Sequence, residues 1–356
     1  MGLKDRLLKN SKIKKSTTLA ESDVFQEKEF AMTSVYAMNI AYGGSLFAGV
    51  SHGLTFFAAP SKHFKTLYTM LSIKAYMDKY PEAVCIFYDT EGGAPKAYFE
   101  SLGIDIDRVI YTPIKNLEQL KFDMPNQLDA IEDGEKVIFA IDSIGNLASK
   151  KEAQDALDEK AVADMSRAKE GKSLFRIITP ELRDKKIPCI AIGHVYQELG
   201  MFPKTILSGG TGLTYSADQI FFVGKSKEKE GTDVVGYTFT LNVEKSRHIK
   251  EGSKIRITVK YDGGIDPYTG LLEIAQATGH VVSPSKGWYS RVIKGEQEDR
   301  KWRAKDTSTK EFWDDLIHGD PSFDEAIGKQ FKVAAISMTD KDPEQMTDEE
   351  LFNEMD

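Results

Sequence analysis

Short runs of consecutive apolar residues recur along this chain, and the segments between them have apolar positions at helical spacing. The most informative runs cover residues 54–58, 83–88, 137–141 and 190–192. Continuous apolar runs of this length are typical of parallel strands that are buried on both faces by the helices between them. The pattern predicts an α/β fold with a mostly parallel central sheet.

Alternating apolar and polar positions replace the continuous runs further along the chain. Residues 237–243 and 254–261 alternate in this way, and a turn at residues 251–252 joins them. This pattern predicts a hairpin at one edge of the sheet. Residues 266–336 then read as a small α/β lobe, which has all three Trp residues of the chain available for its core.

The segment after the first apolar run has the order strand, loop and helix of a phosphate-binding site. Lys65 would reach the β- and γ-phosphates, Thr66 would place its hydroxyl on Mg²⁺, and backbone N–H groups at the helix N-terminus would hold the remaining phosphate oxygens. The residues assigned to this site are Ser61, Lys62, His63, Phe64, Lys65 and Thr66. The loop therefore predicts binding of ATP or GTP.

Two positions of this loop depart from the pattern G-x-x-x-x-G-K-[ST]. Ala59 and Phe64 stand where the two glycines are expected. Because a Lys-Thr pair after a strand is also common at an ordinary solvated helix start, this stretch alone leaves both interpretations open. The ends of two other predicted strands favour the phosphate site.

Carboxylates follow two of the other apolar runs. Asp142 ends the third run, and Glu91 comes shortly after the second. Since the carboxyl ends of parallel strands meet at one edge of a sheet, both side chains are expected beside Lys65. There Asp142 would support Mg²⁺ through a water molecule, and Glu91 would polarise the attacking water. A core strand that merely happens to end in Asp is the alternative for Asp142.

Several longer passages resemble the RecA family of recombinases, and most closely its branch from tailed phages. They are APSKHFKT, FYDTEGG, FAIDSIGNLASKKEAQDAL, IPCIAIGHVYQ, LNVEKSR and YDGGIDPYTGLL, and the resemblance runs from about residue 30 to about residue 336. A Phe at the position of Phe64 fits the phage branch, whereas Ala59 is a departure even there. The resemblance implies a RecA-like P-loop ATPase core that uses ATP and Mg²⁺.

The resemblance also implies roles for single residues of this core. Lys65, Glu91 and Asp142 keep the roles given above, and Tyr98 would stack on the adenine. A Tyr that packs its helix on the sheet is the alternative for Tyr98. His194 follows the fourth apolar run, at a position where a polar side chain of the family senses the γ-phosphate. A structural histidine is the alternative there.

A glycine-containing segment at residues 195–215 has few periodic apolar positions, and in the family it matches the second DNA-binding loop. Leu199 and Phe202 would contact bases, while Lys204 and backbone N–H groups would meet phosphates. A further contact region is expected at residues 153–169, unless its cations form a solvated helix face. The assigned DNA-binding residues are Leu199, Phe202, Lys204, Gly209, Gly210, Arg167 and Lys169.

Two cations, Lys245 and Arg247, lie just past the first strand of the predicted hairpin. Their spacing of two puts both side chains on one face of an extended segment. In the family, two such cations reach across a subunit interface to the neighbour's γ-phosphate, which requires a head-to-tail filament. A pair of exposed hairpin cations without this role is the alternative.

The distribution of charge is compatible with a nucleic-acid partner. The net charge is −8, but residues 340–356 hold eight acidic side chains and one Lys, so the rest of the chain is nearly neutral. This tail is expected to be disordered and to compete with DNA, to engage a partner protein, or only to aid solubility. Cys85 and Cys189 have no metal-ligand or paired spacing, which indicates a reducing compartment and no structural metal.

The expected organisation is an N-terminal oligomerisation arm (1–29) with a short basic helix, a RecA-like ATPase core (30–265), a small C-terminal α/β lobe (266–336) and an acidic tail (337–356). No apolar run approaches the length of a membrane span.

The resemblance implies a helical filament on single-stranded DNA that pairs with a homologous duplex and exchanges strands in recombination, repair and replication. The expected location is the cytoplasm of an infected host, with a recombination mediator and a single-strand-binding protein as partners. Two other functions stay open: a hexameric DNA helicase on the same core, and a filament protein that coats single strands without turning over nucleotide.

Overall fold

The computed structural model of the chain describes residues 2–13, 15–22, 29–158, 166–198, 204–209 and 211–334. Its α-helices are α1 Leu3–Asn10, α2 Tyr36–Gly43, α3 Lys65–Lys79, α4 Lys96–Ser101, α5 Leu117–Ala130, α6 Lys150–Leu157, α7 Ser166–Asp184, α8 Thr211–Ser216, α9 Leu271–Ala277, α10 Lys310–His318 and α11 Pro321–Phe331.

The strands are β1 Gly53–Ala58, β2 Val84–Asp89, β3 Val109–Pro113, β4 Val137–Asp142, β5 Pro188–Gly193, β6 Val195–Gln197, β7 Thr205–Leu207, β8 Gln219–Glu230, β9 Asp233–Lys245, β10 Lys254–Lys260, β11 Gly264–Ile265, β12 Val281–Ser285, β13 Trp288–Ile293, β14 Glu296–Gln297 and β15 Trp302–Arg303.

The described strands form a nine-stranded sheet in the order β11-β10-β9-β8-β1-β5-β4-β2-β3. From β8 to β3 all neighbours are parallel, whereas β9, β10 and β11 are antiparallel to their neighbours. All four apolar runs lie in the parallel part. The predicted α/β fold with a mostly parallel central sheet is therefore confirmed.

Helices cover both faces of the central part of this sheet, which explains why β1, β2, β4 and β5 are buried along almost their whole length. Adjacent residues of β1 point into opposite layers: the ring of Phe56 lies 5.5 Å from that of Phe175 in α7, and the ring of Phe57 lies 5.5 Å from that of Tyr68 in α3. Each fully buried Phe contributes roughly 2–3 kcal/mol through removal of apolar surface from water. This burial fixes the strands and hence the loops that follow their carboxyl ends.

A smaller unit follows the sheet. Strands β12 to β15 form an antiparallel sheet with α9, α10 and α11 packed beside it. Trp302 and Trp313 are buried in its core, as expected. Asp324 of α11 accepts hydrogen bonds from the Ser45 hydroxyl and the Leu46 backbone N–H, which fastens the unit to the segment after α2. The boundaries of the expected domains stay a prediction.

Three stretches differ from expectation. The segment 195–215 is partly regular, because β6 pairs with β7 in a short hairpin and α8 follows. The predicted hairpin of β9 and β10 is present, but β11 pairs with β10 outside it and β9 is longer than its alternating part because it also pairs with β8. The cations expected between a strand and a long helix lie in the first turn of α7 itself.

Other expectations concern the chain's ends and its cysteines. Helix α1 is present, and none of its side chains is buried. Both cysteines are buried and free. The acidic tail lies outside the described residues. Within the described ranges, no helix is both long enough and apolar enough to span a membrane.

Candidate functional site

The loop from Ala59 to Phe64 connects the end of β1 to the start of α3, so the predicted order of strand, loop and helix is confirmed. Lys65 is 8% exposed, and its Nζ donates to the backbone carbonyls of Ala59 (3.1 Å) and Pro60 (2.8 Å). Burial lowers the pKa of Lys65, while the carboxylates of Asp142 and Glu91 oppose this shift. The ammonium group is therefore enclosed by the loop and interacts electrostatically with the carboxylates of Asp142 and Glu91.

Two residues of the loop have an unusual backbone. Lys62 has φ 61° and Phe64 has φ 56°, both in the left-handed region. A residue with a Cβ has a cost of roughly 1–2 kcal/mol in this conformation, which a glycine avoids. The loop thus keeps a glycine-like shape at Phe64, where the pattern expects glycine and the sequence has none.

Asp142 ends β4 and lies directly beside the first turn of α3. The Thr66 hydroxyl donates to Asp142 Oδ2 at 2.7 Å. Burial raises the pKa of Asp142 to about 6, the hydrogen bond from Thr66 opposes this shift, and Glu91 adds to it. The Thr66 hydroxyl oxygen could thus bind a cation directly, while Asp142 accepts the hydroxyl proton and adds negative charge behind it.

Glu91 is held by a turn that the sequence analysis missed. Asp89, the last residue of β2, accepts the backbone N–H groups of Glu91 (2.9 Å) and Gly92 (2.8 Å) at Oδ1. Tyr111 of the neighbouring strand β3 donates its hydroxyl to Asp89 Oδ2 at 2.9 Å. An Asp that binds its own backbone two residues on is a common turn device, so the sequence Asp89-Thr90-Glu91 contained a usable signal.

The carboxylate of Glu91 is also oriented by the loop after β4. Its Oε1 atom accepts the Ser143 hydroxyl at 2.8 Å and the Asn146 amide at 2.6 Å. Local sequence gave no signal for these contacts, because they depend on the pairing of β2 with β4. The arrangement leaves Oε2 without a hydrogen-bond partner among the described residues and holds the side chain in one orientation, as a base that positions water requires.

His194 follows β5 at the same edge of the sheet. Its Nε2 lies 3.8 Å from Glu91 Oε1, is buried, and has no hydrogen-bond partner among the described residues. Burial and the nearby Lys65 ammonium lower the pKa of His194, so the ring is neutral at pH 7. A Cβ at Gly145 would lie 2.2 Å from the His194 ring, so the close approach requires glycine there. A buried nitrogen without a partner is unusual and fits a ligand contact.

Tyr98 lies in α4, which begins after Pro95 as expected. The side chain is half-buried and packs against the core on the α3 side of the sheet. Burial raises the pKa of Tyr98 to about 12, and the nearby Asp142 adds to the shift. Its place close to Asp142 is compatible with both interpretations, so the adenine contact stays a prediction.

The two cations lie at the opposite edge of the sheet from this site. Lys245 Nζ donates to the carbonyls of Thr214 (2.7 Å) and Tyr215 (3.1 Å). Arg247 Nε lies 3.5 Å from Asp218 Oδ1, and Asp218 Oδ2 accepts the backbone N–H of Leu54 at 3.0 Å.

This position separates them from their own phosphate loop. Leu54 lies near the start of β1, whereas the loop follows its end at Ala58, about 13 Å further along the strand at 3.3 Å per residue. Lys245 and Arg247 are therefore not brought together with Lys65 in the same chain.

The residues assigned to DNA are only partly described. Leu199, Phe202 and Gly210 lie outside the described residues. Lys204 is exposed and precedes β7, and Gly209 follows it with φ 111°. The guanidinium of Arg167 donates to the backbone carbonyls of residues 145 and 147, and its DNA contact stays a prediction. Lys169 is exposed on α7.

Comparisons with known proteins agree with this geometry. The sequence profile described as "RecA N-terminal domain" matches residues 14–266, and the profile described as "Bacteriophage T4, Recombination and repair protein, C-terminal domain" matches residues 268–327. The Recombination and repair protein of Enterobacteria phage T4 is 52% identical over 340 residues, which are 94% of this chain and 87% of that protein.

More distant similarity extends to bacterial proteins. Protein RecA of Ectopseudomonas oleovorans is 23% identical over 65% of this chain and 67% of its own length. Protein RecA of Streptomyces coelicolor is 26% identical over 57% of this chain and 54% of its own length. The profile match to residues 14–266 alone covers well over half of the sequence. The chain therefore belongs to the RecA family of DNA recombination and repair proteins.

Proposed function

We propose that this protein is an ATP-dependent recombinase that forms a helical filament on single-stranded DNA and exchanges strands with a homologous duplex. Membership of the RecA family supports the general part, namely DNA binding, filament formation and a DNA-dependent ATPase that uses nucleotide and Mg²⁺. The observation that supports the dependence on ATP is the meeting of three strand ends, where Lys65, the Thr66–Asp142 pair and Glu91 lie together.

Lys65 and the N-terminus of α3 would bind the triphosphate. In the structure the Lys65 ammonium group is bound to carbonyls of its own loop. Phosphate oxygens are stronger acceptors than neutral carbonyls, so the ammonium would exchange these contacts for the β- and γ-phosphates. The backbone N–H groups at the start of α3 would hold further phosphate oxygens.

The donor set fits Mg²⁺ held between protein and phosphate. Within the described part of the chain, no group of three or more His, Cys, Asp and Glu side chains could hold a metal ion. Mg²⁺ usually binds through one or two protein oxygens together with phosphates and water, and Thr66 Oγ1 with Asp142 behind it supplies such oxygens. When bound, Mg²⁺ would neutralise charge on the phosphate oxygens.

Glu91 would act on water. Ser143 and Asn146 fix one carboxylate oxygen, and Asp89 fixes the backbone, so that the other oxygen can accept a proton of the attacking water. His194, whose Nε2 has no hydrogen-bond partner among the described residues, would contact the γ-phosphate. Since phosphoryl transfer depends mainly on positioning and on neutralisation of charge, these contacts would supply the chain's own share of the catalysis.

Completion of the site requires a neighbouring subunit. Lys245 and Arg247 lie near the start of β1, away from the phosphate loop at its end, which supports a role at the next protomer's nucleotide rather than their own. A contact between two different faces of the same protein repeats head to tail and produces a helical filament. A hexameric ring would use the same contact, so ring and filament are distinguished by assay.

The first experiment is ATP-dependent joint formation between a labelled single strand and a supercoiled duplex. Joints that require both ATP and homology support the recombinase. Unwinding of a tailed duplex without homology would instead indicate a helicase. Binding of single strands with no dependence on ATP, unchanged in Lys65→Ala, would indicate a coating protein. A mediator and a single-strand-binding protein are proposed partners, testable as an increase in the joint yield.

The second experiment tests the shared site by mixing two inactive variants. Glu91→Gln leaves Lys245 and Arg247 intact, and the double variant Lys245→Ala, Arg247→Ala leaves Glu91 intact. In a random equimolar filament about one interface in four joins an intact loop to intact cations, so about a quarter of the wild-type ATPase rate should return. No recovery in mixed filaments, or full activity of the double variant alone, would contradict a shared site.

A further inference from the structure

The phosphate loop is held in its shape by residues outside it. Lys62 and Phe64 lie in the left-handed region, with φ 61° and 56°. Residues with a Cβ persist in this conformation only where the surrounding structure determines it. Phe64 is in addition 39% exposed, so it is not simply fixed by burial in the core.

The contacts that hold the loop come from β8 and β9. Lys225 Nζ donates to the backbone carbonyl of Lys62 at 3.1 Å. The same ammonium lies 3.8 Å from the ring centroid of Tyr237, a distance typical of a cation–π interaction. The ring of Phe64 lies 5.0 Å from that of Phe239. Both left-handed residues therefore have a partner on the hairpin that β8 and β9 form.

The register of the two strands explains why these partners occur together. Lys225 pairs with Phe239, and Lys227 pairs with Tyr237. Tyr237 and Phe239 are two residues apart on β9 and share one face, and Lys225 lies on that face from the neighbouring strand. The group of Lys225, Tyr237 and Phe239, called the hairpin brace below, is thus a cross-strand cluster aimed at the loop.

We propose that Lys225 is a positioning residue for ATP binding. The hairpin brace keeps Lys62 and Phe64 in the left-handed conformation, and so keeps the loop N–H groups turned towards phosphate. These contacts stabilise at Phe64 the left-handed conformation that a glycine at position 64 would adopt without them. Lys225 acts through the loop, because its ammonium contacts the Lys62 carbonyl and the Tyr237 ring.

This inference rests on the proposed function, because it assumes that the loop binds ATP. The two can fail separately. Absence of ATP binding by the wild-type protein would overturn the proposed function, whereas equal ATP binding by wild type and Lys225→Met would overturn the inference alone.

The test compares Lys225→Met with Lys225→Arg in the full-length protein. Methionine removes the donor and the charge at similar length, so the Kd for ATP should rise about three- to tenfold while kcat at saturating ATP and single-stranded DNA stays within about twofold. Arginine retains the charge, the donor and the stacking contact, so it should restore the Kd to within about twofold of wild type.

A control and a direct readout of loop shape complete the test. Lys229→Met, an exposed Lys further along β8, should change neither constant. Amide exchange of peptides that cover residues 59–66 should be faster in Lys225→Met and unchanged in the control. An unchanged Kd in Lys225→Met would overturn the positioning role. So would a higher Kd that is accompanied by a lower melting temperature, if Lys225→Arg restores neither.

Discussion

The raised pKa of Asp142 predicts how the free energy of unfolding changes with pH. Because burial raises this pKa to about 6, the folded protein still binds a proton at pH values where the carboxyl of an unfolded chain has lost it. Stability from this group is therefore fully present below about pH 4 and is lost as pH rises through about 6. Above that value the charged carboxylate lowers the free energy of unfolding by a constant amount.

The variant Asp142→Asn removes the charge and keeps an oxygen that can accept the Thr66 hydroxyl. A difference of about two pKa units at about 1.4 kcal/mol each sets an upper limit of about 3 kcal/mol for the gain in stability at pH 8. Between pH 5 and pH 8 the gain should grow by about 1–1.5 kcal/mol, and it should be flat above pH 7. DNA-stimulated ATP hydrolysis should fall in the same variant, because the carboxylate behind Thr66 is lost.

The measurement is urea denaturation at pH 5, 6, 7 and 8 without nucleotide or Mg²⁺, since both would bind the native state and shift the result. Asp129→Asn, which removes an exposed Asp of α5, is the control for loss of one negative charge. A variant that is less stable than wild type at pH 8, or a difference that does not change between pH 5 and pH 8, would refute the reasoning.

Two further substitutions test the positioning of Glu91 and the backbone near α9. Asn146→Ala removes a 2.6 Å hydrogen bond to Glu91, so kcat for ATP should fall about tenfold with KM within about twofold, and a raised KM at constant kcat would count against the assigned role. Gly270→Ala places a Cβ 2.1 Å from the Arg256 carbonyl at φ 78°, so the free energy of unfolding should fall by about 2–4 kcal/mol. Gly252→Ala, at φ 80° with open space around it, should cost only about 1 kcal/mol in the same denaturation assay, and equal costs would contradict the clash.

The parallel strands and the acids at their ends could be predicted from sequence for a physical reason. A strand buried on both faces is apolar throughout, and parallel neighbours deliver their carboxyl ends to one edge, so Glu91, Asp142 and His194 were expected together without any knowledge of strand order.

Other parts of the site depend on register and could not be predicted locally. Asn146 reaches Glu91 only because β2 pairs with β4, and the hairpin brace exists only because Lys225 pairs with Phe239. The alternating pattern of β9 predicted which of its side chains share a face, but it did not predict which residues of β8 lie opposite them. The carbonyl contacts of Arg167 could not be predicted either, because helical spacing of cations does not reveal carbonyls at the end of a neighbouring loop.

Strand β9 spans the distance between two places that matter for nucleotide. Tyr237 lies beside the chain's own phosphate loop, and Lys245, eight residues later, lies about 26 Å away at the edge that would face a neighbour. An extended strand paired on both sides stretches and shortens very little. In a head-to-tail filament the length of β9 would therefore set the distance between successive ATP molecules. The axial spacing of the protomers would then depend on the length of this one strand.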